Sequence, residues 1–266
     1  MEMTPMMQQY MAIKEQHPDE ILFFRMGDFY EMFLDDAVTA SRELGLTLTS
    51  RSGDVKKNPM CGIPYHAAES YITKIVNKGY KVAIAEQIGD PKAKGLTKRE
   101  VIKVITPGTI LEESALQSAN NNYIALVYET EEEVVLSGAD ISTGECFYGV
   151  YTGDDRLQAL YDELYRIMMP ELIILGEPSF LGDLKAFIDM RMATCAFTRI
   201  EEPVKNVDDL IIQHFDVNNR PAGRSASEAV ATMLGYLHDT VRTDLSHLSQ
   251  LTKLDLPIIW LLIPIL

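Results

Sequence analysis

The sequence predicts an α/β protein built as two successive units, and three observations carry that prediction. Segments with an apolar residue every three or four positions alternate with short apolar runs bounded by Gly, Pro or Asp, the pattern of helices interleaved with strands. A polar stretch from Glu112 to Asn122, rich in Ser, Gln and Asn, interrupts this pattern near the middle. The 266 residues, 47% of them hydrophobic, suffice for two cores without a disulfide or metal to staple them. The expected division is a first domain over 1–113, a linker over 114–122, a second domain over 123–250 and an apolar tail over 251–266.

In the first unit, Thr4-Pro5 reads as an N-cap with proline at the first helical position, opening a helix that closes before His17-Pro18. Ile21 to Arg25 reads as a buried strand, and Gly27-Asp28 as a turn. A helix is then expected from Phe29 to Leu44, ended by Gly45, because Tyr30, Phe33, Leu34, Ala37, Val38, Ser41 and Leu44 fall on one face at 100° per residue. Leu46 to Ser50 alternates as a strand, Arg51 to Pro59 is a polar loop, and His66 to Asn77 is a helix stopped by Gly79. Tyr80 to Gln87 and Val101 to Thr106 complete the unit as strands, in a mixed-sheet α/β arrangement.

The second unit opens with three strands, Tyr123 to Tyr128, Val134 to Asp140 and Glu145 to Tyr151, joined by turns short enough for an antiparallel meander. Asp155 to Met168 (helix), Leu172 to Leu175 (strand), Ser179 to Asp189 (helix) and Ala193 to Thr198 (strand) follow. Asp208 to Phe215 and Ser225 to His238 are helical. A three-strand meander followed by αβαβ is the order of a ribonuclease-H-like fold.

Charge and cysteine usage narrow the function. Residues 1–113 hold 14 Lys+Arg against 16 Asp+Glu, net −2, and residues 114–266 hold 10 against 23, net −13. Within the first unit, Leu46 to Ile110 carries 11 basic residues against five acidic ones, net +6. Such a basic patch in an acidic protein suits local contact with a polyanion, and equally suits a solvated lysine-rich face. Cys61, Cys146 and Cys195 are odd in number, far apart and without a C-x-x-C pair, which argues against a disulfide framework or zinc knuckle and for reduced cytosolic thiols. No run reaches the roughly 18 apolar residues of a membrane span, and no signal peptide is evident.

Phe29 falls off the apolar stripe of its expected helix, beside Met32 and after a glycine. An exposed Phe at a helix N-terminus, where backbone N–H groups attract phosphate, is the geometry of a wedge into a base stack; packing under a neighbouring loop is the alternative. Asp28 and Glu31 stand at D-x-x-E spacing, so Glu31 is either the fourth member of a capping box or a carboxylate that hydrogen-bonds a base edge.

Four runs, Phe24-Arg25-Met26-Gly27-Asp28-Phe29-Tyr30-Glu31-Met32-Phe33, Pro59 to Ala67, Gly79 to Gln87 and Val104 to Thr109, closely resemble the bacterial MutS family of DNA mismatch-repair proteins. The resemblance extends from Thr4 to about Leu254. It implies an N-terminal mismatch-recognition domain, a linker and a ribonuclease-H-like connector domain. It places the family's Phe-x-Glu motif on Phe29 and Glu31, with Phe29 stacking on a mispaired base from the minor groove and Glu31 bonding to that base. Met26 and Arg51 match positions near the DNA, and Lys56 and Lys57 would add backbone affinity.

The implied partner is duplex DNA with mispairs or small insertion loops, in the cytoplasm and nucleoid, with mismatch-repair partner proteins met through the connector and no membrane. The family dimerises at full length; this chain is expected to be monomeric. ATP and Mg belong to the family's ATPase domain, and no G-x-x-x-x-G-K-[ST] occurs here, so no cofactor or enzymatic activity is expected of this chain. The tail Leu256 to Leu266 reads as a truncated or frameshifted end. Two rivals remain: a metal-dependent nuclease using Asp140 at a strand end, with Glu163 and Asp183 recruited, and a protein-interaction module without DNA binding.

Overall fold

A computed structural model of the chain describes residues 4–50, 53–89, 97–110 and 122–254. Packing divides the chain into two units, residues 1–119 with 237–243, and residues 120–236 with 244–266.

The first unit runs α1 (Pro5–Gln16), β1 (Glu20–Met26), β2 (Phe29–Phe33), α2 (Leu34–Leu44), β3 (Met60–Pro64), a 3-10 turn (Tyr65–Ala67), α3 (Ala68–Val76), β4 (Lys81–Ile88) and β5 (Lys98–Ile105). Its five-stranded sheet has the order β3-β2-β1-β4-β5, with β1 parallel to β4 and the other pairs antiparallel. The expected α/β class is observed, with one correction that matters for everything below. Residues 29–33 are a strand, and the helix begins only at Leu34. The helical spacing of Tyr30, Phe33 and Leu34 continues by coincidence into a true helix, whereas two apolar runs separated by the two residues Gly27-Asp28 are a hairpin signal. Gly27 has φ +60°, the conformation this tight turn requires at its first central residue. The strand expected over Leu46 to Ser50 reduces to a single bridge, Thr49 to Met60, and β3 is a strand that the sequence reading leaves unassigned.

Each face of this sheet carries its own core. Ile21, Phe23, Tyr30, Met32, Cys61, Ile63, Val82 and Ile84 pack with Ala37 and Ala40 of α2 and Ile72, Ile75 and Val76 of α3. On the other face Leu22, Phe24, Phe33, Ala83, Ala85 and Val104 pack with Tyr10 and the methionine-rich side of α1. Asp36 joins the layers: it is 7% exposed, it accepts hydrogen bonds from the Tyr10 hydroxyl (2.9 Å) and the Leu22 N–H (3.0 Å), and Lys14 stands 2.8 Å away.

The second unit runs β6 (Tyr123–Glu129), β7 (Glu133–Asp140), β8 (Glu145–Thr152), α4 (Arg156–Ile167), β9 (Glu171–Leu175), α5 (Leu181–Arg191), β10 (Ala196–Ile200), α6 (Val207–His214), α7 (Arg224–Val241) and β11 (Gln250–Lys253). The sheet order is β10-β9-β6-β7-β8-β11. The meander lies on one side of β6, and the parallel strands β9 and β10 lie on the other, the arrangement expected from the element order. Leu251 to Lys253, counted above with the apolar tail, instead pair in parallel with β8; residues 255–266 lie outside the described residues. Leu160, Leu164, Leu184 and Ile188 of α4 and α5 close one face over Val127, Leu136, Phe147 and Leu172. From α7, Glu228 accepts from Tyr128 and Tyr236 donates to the buried Glu171, tying that helix to the sheet.

Candidate functional site

Residues in a strand alternate between faces, so the Phe-x-Glu spacing puts Phe29 and Glu31 on the same face of β2, with Tyr30 and Met32 on the other. The cross-strand register extends that face. Met26 lies opposite Phe29 and Phe24 opposite Glu31 on β1, while Pro64 and Gly62 take the same positions on β3. Phe29 is 47% exposed although it belongs to a central strand, and Gly62 beside it is also exposed. Met26 is half-buried against the α1 layer. Phe29 and Gly62 therefore form an open patch at the turn end of a hairpin, on the face that the partly exposed Glu31 shares.

The opposite side of the hairpin holds it in place. The Arg25 guanidinium stacks over the Tyr65 ring at 3.9 Å, stands 3.3 Å from Glu86 and donates to the Gly27 carbonyl at 2.5 Å. Tyr30 donates a short hydrogen bond to the same Glu86. Burial, and then the Glu86 carboxylate, push the Tyr30 phenol up to about 12. The Tyr65 N–H closes on the Asp28 carbonyl at 2.9 Å. The Gly27-Asp28 turn is thus bonded to Arg25 of β1 and to the backbone of Tyr65 after β3, and Arg25, between the Tyr65 ring and Glu86, links it to β4. Sequence reasoning missed Arg25, Gly62 and Tyr65; a Gly-Asp hairpin at 27–28 would have placed Arg25 beside Tyr30, whereas Gly62 and Tyr65 depend on the pairing of β3.

The two readings of Glu31 now separate. A capping box needs Asp28 as the N-cap of a helix, but α2 starts at Leu34 with Phe33 as its cap residue, and Glu31 lies mid-strand. The helix-terminus setting expected around Phe29 is likewise replaced by a hairpin. Asp35 and Asp36 occupy the first turn of α2 instead.

The remaining predicted residues are less concentrated. Lys56 and Lys57 are exposed, with Lys57 3.7 Å from Asp54. They precede Met60, which pairs with Phe33 at the far end of β2, four residues or about 14 Å along the strand from Phe29. Arg51 lies outside the described residues, as do Lys92 and Lys94 of the basic stretch. Two other members of that stretch are structural: Lys81 and Arg99 are each 6% exposed, and Arg99 donates to the carbonyls of Arg25 (2.6 Å) and Thr97 (2.8 Å). Lys78 pairs with Glu43, which lies outside the counted stretch, so with Lys81 and Arg99 buried the net +6 overstates the charge offered to a polyanion.

In the second unit, Asp140 is fully buried and accepts from the Asn122 N–H (2.9 Å), the Ser142 N–H (2.8 Å) and the Ser142 hydroxyl (2.6 Å). Glu163 is paired with Arg166. Among the described residues no three His, Cys, Asp or Glu side chains gather as a metal site requires. No helix among them is long and apolar enough to cross a membrane.

The open patch lies within a recognisable domain. Residues 4–114 match the model of MutS domain I. The chain is 44% identical over 267 residues to the DNA mismatch repair protein MutS of Halothermothrix orenii, covering 96% of this chain and 29% of that protein. It is 43% identical over 253 residues to the protein of the same name from Ruminiclostridium cellulolyticum, covering 93% and 29%, and 42% identical over 266 residues to that of Desulforamulus reducens, covering 95% and 30%. Residues 4–114 are thus similar to MutS domain I, and 93–96% of the chain is similar to part of the proteins named DNA mismatch repair protein MutS. It spans about 30% of the length of the curated relatives it matches.

Proposed function

We propose that this chain recognises mispaired or unpaired bases in duplex DNA, with Phe29 entering the minor groove as a wedge and Glu31 bonding to the displaced base. The observation that carries this reading is the shared open face: a half-exposed aromatic two residues from a carboxylate on a braced hairpin. Insertion of an apolar wedge costs a few kcal/mol of unstacking per base step, and a mispair has already lost part of that stacking. Discrimination then comes from deformability, so one aromatic serves many mispairs without a base code. Glu31 adds a hydrogen bond to a displaced base, accepting from a base N–H as the carboxylate or donating to a purine N7 when protonated. Met26 packs beside the wedge. Lys56 and Lys57, towards the far end of the hairpin, supply contacts to the phosphate backbone, and Arg51 is assigned the same role from the family resemblance alone. The relatives' naming as DNA mismatch repair proteins supports this assignment and fits a cytoplasmic setting; contact of the second unit with partner proteins is proposed from the family resemblance alone. The nuclease reading gains nothing from Asp140, whose carboxylate is taken up by local N–H and hydroxyl donors.

The test is competition between matched and mispaired duplexes for the parent chain, Phe29→Ala and Glu31→Gln at two salt concentrations. Preference for the mispair in the parent, lost in Phe29→Ala, supports the proposal. Equal affinity of the parent for both duplexes overturns it.

A further inference from the structure

The face of the first sheet that carries Phe29 and Glu31 is covered unevenly. Over β1, β4 and β5 the side chains of Leu22, Phe24, Ala83, Ala85 and Val104 lie under α1. At the turn end of β2 and β3, Phe29 and Gly62 are exposed and Glu31 and Pro64 partly so. Gly62 stands directly opposite Glu31 in the β2–β3 register.

A glycine at this position has no conformational reason to be there. Gly62 lies within β3 and is not among the residues with positive φ, so a side chain would suit its backbone. A Cβ built on it would stand 3.3 Å from the Tyr30 carbonyl oxygen and 3.4 Å from the Glu31 Cγ, so a side chain here requires the β2 backbone to give by a few tenths of an ångström. Glycine inside a strand lowers stability by chain entropy and lost packing, and its frequent meaning is close approach of another group to the backbone. Any side chain at 62 would share the open face with Glu31, with the two Cβ atoms about 4.5–5.5 Å apart as for directly opposed residues.

We infer that Gly62 is a specificity-determining residue, whose missing side chain leaves a notch beside Glu31 through which a displaced base stacked on Phe29 reaches the carboxylate. This rests on the function proposed above and deepens it. Phe29 supplies the stacking plane, Pro64 opposite it limits that plane on the β3 side, and Gly62 keeps the neighbouring position flush with the backbone. Alanine there narrows the notch. A β-branched residue fills it and covers the carboxylate, while suiting a strand better than glycine does.

The experiment uses the full chain as the parent, Gly62→Ala and Gly62→Val, with thermal unfolding to confirm that all three fold. First, carbodiimide-driven coupling of a small amine to carboxylates is read residue by residue by mass spectrometry. Labelling of Glu31 should fall at least threefold in Gly62→Val, with Glu69 on α3 as the unchanged reference. Second, competition between mispaired and matched duplexes should give a preference of at least fivefold in the parent, an intermediate value in Gly62→Ala and less than twofold in Gly62→Val. Unchanged labelling of Glu31 would overturn the inference, as would a parental preference that survives in a folded Gly62→Val. A parent without any preference would overturn the functional reading itself and this inference with it.

Discussion

Replacing Asp36 should unfasten α1 from the sheet, and the size of the effect follows from the bonds that carboxylate makes. One oxygen accepts from the Tyr10 hydroxyl and the Leu22 N–H, and the other faces the Lys14 ammonium at 2.8 Å. Leu22 pairs with Ala83 of β4 on one side, and on the other the chain turns away from β2 at Leu34, so Asp36 takes the place of a strand partner. Asp36→Ala leaves the buried Leu22 N–H without an acceptor, at about 1–3 kcal/mol, and removes one of the two acceptors of the Tyr10 hydroxyl, which keeps the Phe33 carbonyl at 3.2 Å. Lys14 is less affected, because it is partly exposed and keeps its bond to the Glu20 carbonyl at 2.6 Å. With the ion pair and the weakened Tyr10 bond included, the expected loss is about 2–4 kcal/mol. Asp36→Asn retains an oxygen for both donors and forfeits mainly the ion pair, for about 1–2 kcal/mol. At about 2–4 °C per kcal/mol for a chain of this size, Asp36→Ala should lower Tm by roughly 10 °C and Asp36→Asn by less than half of that. Urea and thermal unfolding followed by circular dichroism measure both, and hydrogen exchange at the Leu22 amide reports the freed donor. An Asp36→Ala variant within about 1 kcal/mol of the parent, or an Asn variant as costly as Ala, would refute the reasoning.

Two further predictions concern titratable groups. Hydrogen bonds from Arg42 and then Lys78 hold the Glu43 carboxyl at about 2, so its contribution to stability is complete above the usual carboxylate range near 4.5 and disappears as pH falls through 2. The stability difference between the parent and Glu43→Gln should therefore be constant from pH 5 to 7 and shrink below pH 4.5; a difference that grows on acidification would contradict this. Burial pushes the Cys61 and Cys146 thiols up to about 12, so iodoacetamide at pH 8 should leave both unmodified in the folded chain and alkylate both in urea, as peptide mass mapping would register.

Long periodic segments were legible in the sequence, and the hairpin that carries the candidate site was not. The helix at 5–16 and the meander of the second unit follow from capping, turn spacing and alternation that tertiary contacts reinforce. Residues 29–33 failed because Phe-Tyr-Glu-Met-Phe is apolar on both faces: Tyr30 and Met32 enter one core and Phe33 the other. A strand with aromatic residues on both its open and its buried face has no clean period of two to read, and the true helix beginning at Leu34 lent its own period to the preceding residues. β3 and β11 are short edge strands whose existence depends on partners remote in sequence. Phe29 and Glu31 were found by resemblance, while their common face emerged only once the strand was known. The basic stretch misled in the other direction, since charge counts cannot distinguish a solvated lysine from Arg99, buried under its own carbonyl partners.

The most direct measurement of the central claim is the ratio of mispaired to matched duplex affinity for the full chain and for Phe29→Ala, by fluorescence anisotropy at two salt concentrations. Because Phe29 is already 47% exposed, its truncation should cost about 1 kcal/mol of stability or less and leave the chain folded. Matched-duplex binding should be no tighter than micromolar and equally salt-dependent in both proteins, since it comes from phosphate contacts. The account predicts that Phe29→Ala loses about 1–3 kcal/mol of mispair preference, roughly five- to 150-fold, with matched binding nearly unchanged. An undiminished ratio in a folded Phe29→Ala variant would contradict it.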